Sequence, residues 1–460
     1  MKFLDRTEEC ARLRRLLDGA EGALACLYGR RRCGKTRLLQ ECTRGRPSVI
    51  YFLADRSERS SQLARFVKEA SAVCPPLAAA ATTAWGAVLD LWVAVSPQGA
   101  ILVLDEFPYL VEKDPSLPSV LQRIADALPP TGRKIVISGS SQRMMQGLVL
   151  NEGEPLYGRC RVILKLAPIG YPWLRRAFPK STASDRLAHY AVWGGVPRYW
   201  EVCQGECDLW ETLRDEVFSP NGLFHEEPSF VLKDDLEGAA QAASVLSLIG
   251  QGSERPSEMA GRLQVPQTAL ARPLKRLMDL GLVRRDIPFG NDVKGNKKSL
   301  YKLSDPFLRF WYAFVLPHYS NPRFLTSSTD RAALEKPFRA FMGEAWEELV
   351  RATLLERPLP KSSVRWGKVS RWWGTGLNGE AMEVDVVAES ADGRMLLVGE
   401  AKLKLTDVEA RHAFAELEAK AKQLPFSARY KTVLCRLFVA ESARPGEVSL
   451  GWAEDMKGVE

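Results

Sequence analysis

The sequence predicts an α/β protein built on a parallel sheet covered by helices on both faces, followed by a helical module with a short hairpin and a second, smaller α/β module. Three observations carry this expectation. The stretch GRRRCGKT, Gly29 to Thr36, lies between an apolar run, Ala23 to Tyr28, and a helical pattern from Arg37 to Cys42. Apolar runs VIYFL (49–53), ILVL (101–104) and KIVIS (134–138) alternate with helical stretches, the pattern of strands buried on both faces. Far downstream, two strand-like runs flank Asp392-Gly393, a strong hairpin signal.

The totals narrow the class. A chain of 460 residues suggests about three domains, and 46% hydrophobic with 26% charged residues describes a soluble globular protein. Met1 to Cys10 is polar and charged, and no apolar run approaches the roughly 18 residues of a membrane span. The cytoplasm is the expected location, with no membrane partner. Nine scattered cysteines argue against a disulfide framework, and Cys203 and Cys207 lack a second pair of metal ligands. Between Arg255 and Leu300 stand ten Lys or Arg against four Asp or Glu, so much of the net charge of +8 is local.

In order along the chain, Phe3-Leu4-Asp5-Arg6 leads into a helix with Leu13, Leu16 and Leu17 on one face. It suits either contact with a nucleobase or ordinary packing. GRRRCGKT fits G-x-x-x-x-G-K-[ST] in its required strand-to-helix setting, which turns backbone N–H groups and a helix N-terminus toward one anionic volume. ATP and Mg²⁺ are the expected cofactors. Gly29, Arg30, Arg31, Arg32, Cys33, Gly34 and Arg37 would form the cradle. Lys35 would reach the β- and γ-phosphates and Thr36 would ligate Mg²⁺. Residues 58–95 read as helical, with Trp85 and Trp92 at core spacing.

ILVL ends in Asp105-Glu106, two carboxylates at the end of a parallel strand, where such sheets bind ligands. Asp105 is expected to hold Mg²⁺ through its water shell and Glu106 to activate the attacking water. After KIVIS, Ser140 is the candidate γ-phosphate sensor, turn chemistry being the other reading. Arg159 is a candidate for stabilising transition-state charge in its own or a neighbouring subunit, or else pairs with a carboxylate.

GRRRCGKT, VLDEFPYL (103–110), SGSS (138–141), PLYGR (155–159) and WGGVPRYW (193–200) occur in the order found in prokaryotic AAA-like ATPases, often labelled archaeal ATPases and related to the STAND NTPases. The resemblance implies a RecA/AAA-like P-loop NTPase core over residues 1–165 and a helical lid over 166–238.

Residues 239–305 read as a winged helix-turn-helix. Three helices are expected at 242–249, 257–263 and 267–280, with Ser257 as an N-cap and Gly281 closing the third. In that third helix Leu270, Leu274 and Leu277 form an apolar face, and Thr268, Arg272, Lys275 and Arg276 a polar one. Pro273 is expected to kink it. The following hairpin carries Arg284, Arg285, Lys297 and Lys298, a wing for phosphates. DNA is the expected partner, although many winged helices bind only protein. Residues 306–340, with Phe307, Phe310, Trp311 and Phe314, read as a helical connector.

In residues 341–460 the hairpin around Asp392-Gly393 brings Asp385 nearly opposite Glu400, with Lys402 on the same strand face. Asp385 and Glu400, with Glu347 as a third carboxylate, could hold Mg²⁺ while Lys402 polarises a nucleophile. The arrangement resembles the restriction-endonuclease-like PD-(D/E)XK nucleases, without the loose proline before Asp385, and the C-terminal third resembles the DUF234-type domain appended to the same ATPases. Arg365, Trp366, Lys368, Arg371, Trp372 and Trp373 form a basic, aromatic approach.

The expected function is a Mg²⁺-dependent ATPase coupling ATP to DNA binding and DNA cleavage, with closure moving the winged helix against the nuclease domain. The alternative is a STAND-like regulator or scaffold whose C-terminal domain binds DNA or protein without cutting. Homo-oligomers and partner proteins stay open.

Overall fold

In unit one, β1 (Ala23–Tyr28), β2 (Val49–Leu53), β3 (Ile101–Asp105), β4 (Lys134–Gly139) and β5 (Cys160–Lys165) form a wholly parallel sheet in the order β2-β3-β4-β1-β5. The computed structural model describes residues 3–80, 84–203, 208–230, 240–292, 298–321, 323–359 and 362–441. It divides into two compact units: Met1–Ile169 together with Val196–Val202, and a second holding Gly170–Gly195, Cys203–Phe230 and the chain beyond Leu236. The stretch read as one helical lid therefore divides between them.

Period-two alternation explains how the sheet is covered. Leu24, Cys26, Phe52, Leu102 and Ile137 point to one face, where Phe66, Trp85, Trp92 and Leu121 pack; Ala25, Leu27, Val103 and Val136 point to the other, against Leu13, Leu17, Leu38 and Leu39. The N-terminal helix Thr7–Asp18 is thus a packing helix. All strands run the same way, so the residues following Tyr28, Leu104 and Gly139 emerge at one end of the sheet.

The second unit contains three helices and a two-stranded hairpin over residues 240–303. Helices Ala240–Gly250 and Pro256–Leu263 are followed by a 3₁₀ turn, Gln267–Leu270, which runs into helix Ala271–Asp279. β6 (Val283–Asp286) and β7 (Leu300–Leu303) then pair as an antiparallel hairpin. Ser257 is not the N-cap: the second helix begins at Pro256 after Arg255, because the proline ring presets the first helical φ. Pro273 does not kink the third helix. The α-helical segment starts at Ala271, so Pro273 sits in a first turn whose N–H groups have no intrahelical acceptor. Gly281, at φ 69°, closes it: Gly281 N–H donates to Met278 O and Leu282 N–H to Leu277 O, a Schellman motif.

Helix Ser328–Glu356 runs unbroken through the boundary expected at 340. It packs beside a four-stranded sheet ordered β11-β10-β9-β8, with β8 Trp366–Thr375, β9 Ala381–Ser390, β10 Met395–Lys404 and β11 Thr432–Glu441. β9 and β10 form the hairpin around Gly393, and helix Asp407–Gln423 carries the chain from β10 to its parallel neighbour β11. Phe307, Phe310, Trp311 and Phe314 are buried, as expected of a core-packing connector.

The wing is fastened to this sheet. Phe289 N–H donates to Arg371 O at 2.9 Å on edge strand β8, and the Phe289 ring is buried beside Trp372 and Phe426. Arg284 is bound by Glu348 of the long helix and by Asp286, and Arg285 donates to Ser299 Oγ at 2.8 Å. Both arginines are half-buried with partners inside the protein, and the helices and hairpin of residues 240–303 share one compact unit with the C-terminal sheet.

Candidate active sites

The phosphate loop is shaped by backbone that other residues tolerate poorly. Gly29 has φ 157°, and a Cβ there would collide with the Leu166 carbonyl; Gly34, at φ 89°, opens helix Lys35–Thr43. Arg32 also adopts a left-handed conformation, φ 67°. Cys33 is fully buried and offers only backbone, Arg30, Arg31 and Arg32 are half-buried, and Arg37 is exposed. Lys35 is buried, and its Nζ donates to Gly29 O at 3.0 Å and Arg30 O at 3.2 Å, with burial lowering its pKa. The ammonium already occupies the loop's mouth, where phosphate oxygens would replace the carbonyls.

Across the sheet end, Thr36 Oγ1 donates to Asp105 Oδ2 at 2.8 Å, although the two residues are 69 apart in sequence. Asp105 is completely buried. A hydroxyl and a carboxylate meeting at the phosphate loop are hard oxygen ligands, so these residues fit Mg²⁺. Glu106 has φ 53°, and its Oε2 accepts from Ser140 N–H at 3.1 Å and Ser140 Oγ at 2.7 Å. Ser140 thus holds Glu106, with both its donors on the carboxylate.

Three further contacts escaped the sequence reading. Tyr51 OH donates to Asp105 Oδ2 at 2.5 Å, Arg6 donates to the loop carbonyl of Cys33 at 3.3 Å, and Arg30 donates to Tyr199 OH at 3.1 Å. Tyr51 carries the one hydroxyl in an apolar strand, a signal that was available; Arg6 and Tyr199 reach the loop only through tertiary folding. Tyr199 belongs to helix Pro197–Val202, which lies against the loop with Pro197 near Gly34.

Arg159 is corrected for its own chain. It precedes Cys160, which pairs with Leu24 at the far end of β1 from the phosphate loop, about 13 Å of strand away. There it forms an ion pair with Asp126 at 3.0 Å.

In the C-terminal sheet, Gly399 pairs with Val386, so Glu400 falls opposite Asp385. Asp385 Oδ2 accepts from Ala401 N–H at 3.0 Å, and Lys402 Nζ donates to Glu400 Oε1 at 2.9 Å. Burial, and next the Glu400 charge, raise the Asp385 pKa; burial and then Asp385 push Glu347 to about 7. Burial works against the Lys402 ammonium, but Glu400 more than restores it, leaving its pKa raised. Glu347 does not complete the expected metal triad: among the described residues no three His, Cys, Asp or Glu side chains are grouped to hold a metal ion. Glu347 pairs with Arg351 at 3.5 Å, and Lys420, missed by the sequence reading, takes the other Glu400 oxygen at 3.3 Å. Two carboxylates still suit Mg²⁺, which usually keeps most of its waters. Of the basic, aromatic approach, Trp366 and Trp372 are buried and Arg371 is paired with Glu383.

Over the 3₁₀ turn and helix of residues 267–279, Leu270, Leu274 and Leu277 are buried, Thr268, Arg272 and Lys275 are exposed, and Arg276 is half-buried. Lys298 is exposed, and Lys297 lies outside the described residues. The described cysteines are free thiols, and among the described residues no helix is long and apolar enough to cross a membrane.

Comparison with known proteins adds two families. Residues 3–186 match the family described as an ATPase domain predominantly from Archaea, and residues 311–413 match a family of archaeal and bacterial proteins of unknown function, DUF234. An uncharacterized protein of Methanocaldococcus jannaschii is 29% identical over 423 residues, covering 91% of this chain and 92% of that protein. Among solved structures, the Aeropyrum pernix ORC2 protein in ADPNP and ADP complexes is similar at 16% identity, with a TM-score of 0.47 over 72% of this chain and 95% of that one. The ORC1 protein of the same organism, in complex with DNA, gives 19% identity and a TM-score of 0.34 over 72% and 94%.

Proposed function

From a chain that joins an ATPase domain of this predominantly archaeal family to a DUF234 domain, we propose a Mg²⁺-dependent ATPase that couples its nucleotide state to DNA binding and to DNA cleavage by the C-terminal domain. The observation that carries the ATPase reading is the 2.8 Å contact of Thr36 with Asp105 at the mouth of the phosphate loop. Bound Mg²⁺ would neutralise phosphate charge, held by Thr36 and, through its water shell, by Asp105. Lys35 exchanges the carbonyls of Gly29 and Arg30 for phosphate oxygens. Glu106 has Oε2 occupied by Ser140, which leaves Oε1 to accept a proton from the attacking water. Helix Pro197–Val202 touches the loop, and its chain continues at both ends into the second unit, a route by which nucleotide state acts on the DNA-binding part.

The DNA reading is supported by exposed Thr268, Arg272 and Lys275 opposite a buried leucine face. The double variant Arg272→Ala, Lys275→Ala is expected to weaken duplex binding across sequences and to make the salt dependence shallower by about one unit of slope per lysine or arginine removed. An unchanged slope in a fluorescence-anisotropy salt series removes this helix as the DNA contact.

Cleavage is supported by Asp385 and Glu400 facing each other beside Lys402. With Mg²⁺ or Mn²⁺ and supercoiled or branched DNA, Asp385→Ala and Lys402→Ala should each reduce nicking by about 100-fold or more. Nicking that survives in both variants identifies a contaminant. The second reading, a DNA- or protein-binding domain that does not cut, is favoured by the two lysines occupying both oxygens of Glu400. Salt-sensitive DNA binding without nicking in either metal decides for it.

A further inference from the structure

We propose that Tyr51 is a positioning residue of the ATPase site, fixing the Asp105 carboxylate from the sheet so that it meets Mg²⁺ already oriented. The inference rests on the reading of Asp105 as a ligand of the Mg²⁺ water shell. β2 and β3 are hydrogen-bonded neighbours with Tyr51 opposite Val103 and Leu53 opposite Asp105, so a tyrosine two residues before the end of β2 spans to the strand-end carboxylate. Its phenol donates to Oδ2 at 2.5 Å, Thr36 donates to the same oxygen at 2.8 Å, and Glu106 N–H donates to Oδ1 at 3.0 Å.

These three donors differ in what happens to them when nucleotide arrives. Thr36 stands at the start of the phosphate-loop helix, and its oxygen is the one that must also serve the metal. Glu106 holds Oδ1 by a backbone group that also fixes the turn. Tyr51 is a side-chain donor anchored in the sheet, and it holds Oδ2 with or without metal. A buried carboxylate that lost it would keep Oδ2 satisfied only through the loop, and would spend binding energy on orientation each time Mg²⁺ entered.

Tyr51→Phe removes one oxygen and keeps the ring. In the full chain, a fluorescent ATP analogue is titrated with and without EDTA, and Mg²⁺ is titrated into the nucleotide complex while binding and phosphate release are followed. Expected are a thermal midpoint and metal-free nucleotide affinity within about twofold of wild type, a half-saturating Mg²⁺ concentration raised about tenfold, and turnover that recovers at high Mg²⁺. Tyr51→His, which retains a donor on a ring, should lie between the two. An unshifted Mg²⁺ midpoint overturns the assignment, as does an equal loss of metal-free and metal-bound affinity, which would mark a purely structural role. A wild-type chain whose nucleotide complex ignores Mg²⁺ sinks the metal-site reading itself, a result distinct from an unshifted variant.

Discussion

Lys35→Ala is expected to lower ATP turnover by at least about 100-fold, the scale of losing one preorganised charge at a site where charge develops. The ammonium is buried and reaches two carbonyls of its own loop, so the cation is stationed at the mouth before any phosphate enters. Its lowered pKa, caused first by burial, means that the site holds this charge at a cost which phosphate oxygens would relieve. Phosphate release under saturating ATP and Mg²⁺ measures the effect, with circular dichroism as the check that the variant folds. Turnover equal to wild type would remove the mechanism proposed for the first unit.

The second large effect is on stability. Glu348 lies half-buried between Arg284 of the β6–β7 hairpin and Arg309 of the connector; Arg309 reaches its two oxygens at 2.7 and 2.9 Å. Burial alone would raise its pKa, yet the two guanidiniums hold it at about 2. Glu348→Gln takes the carboxylate from Arg309 and leaves Arg284 to Asp286 alone, and should cost about 3 kcal/mol. The pH dependence follows from the depressed folded value. The contribution is complete above the usual glutamate range near 4.5 and is lost as pH falls toward 2, because the unfolded chain binds its proton first. Urea denaturation of wild type and variant at pH 7 and pH 3 tests both statements. The gap should be wide at pH 7 and narrow at pH 3, and equal midpoints at pH 7 would contradict the triad's role.

The legible parts of the molecule were those written in local pattern. Strand-turn-helix around Gly29, the apolar runs of the parallel sheet, and the Asp392-Gly393 hairpin are each determined by residues within about ten positions, and alternation then places Asp385 opposite Glu400. What escaped depends on distant chain. Tyr51 reads as one more strand residue until β2 is set beside β3, and Arg6 reads as a surface charge until the Cys33 carbonyl comes within reach. Arg284 and Arg285 read as a wing's phosphate contacts because sequence shows their charge but not Glu348, 64 residues downstream of Arg284. Arg159 lies away from the phosphate loop of its own chain for a topological reason: its motif follows β4 in sequence but enters β5 at the opposite end of the sheet. Pro273 was misread because a 3₁₀ turn shifts the start of the α-helix by four residues.

Phe289 governs how this polypeptide can be taken apart. A fragment ending at 305 would expose that ring to water, one starting at 341 would sever a 29-residue helix in mid-span, and either cut parts Glu348 from Arg284 and Arg309. Dissection by truncation should therefore yield insoluble pieces. On a duplex gripped by residues 268–275, the offset between the gripped base pairs and any nick made at Asp385 would be a constant of the protein, indifferent to which nucleotide the first unit holds.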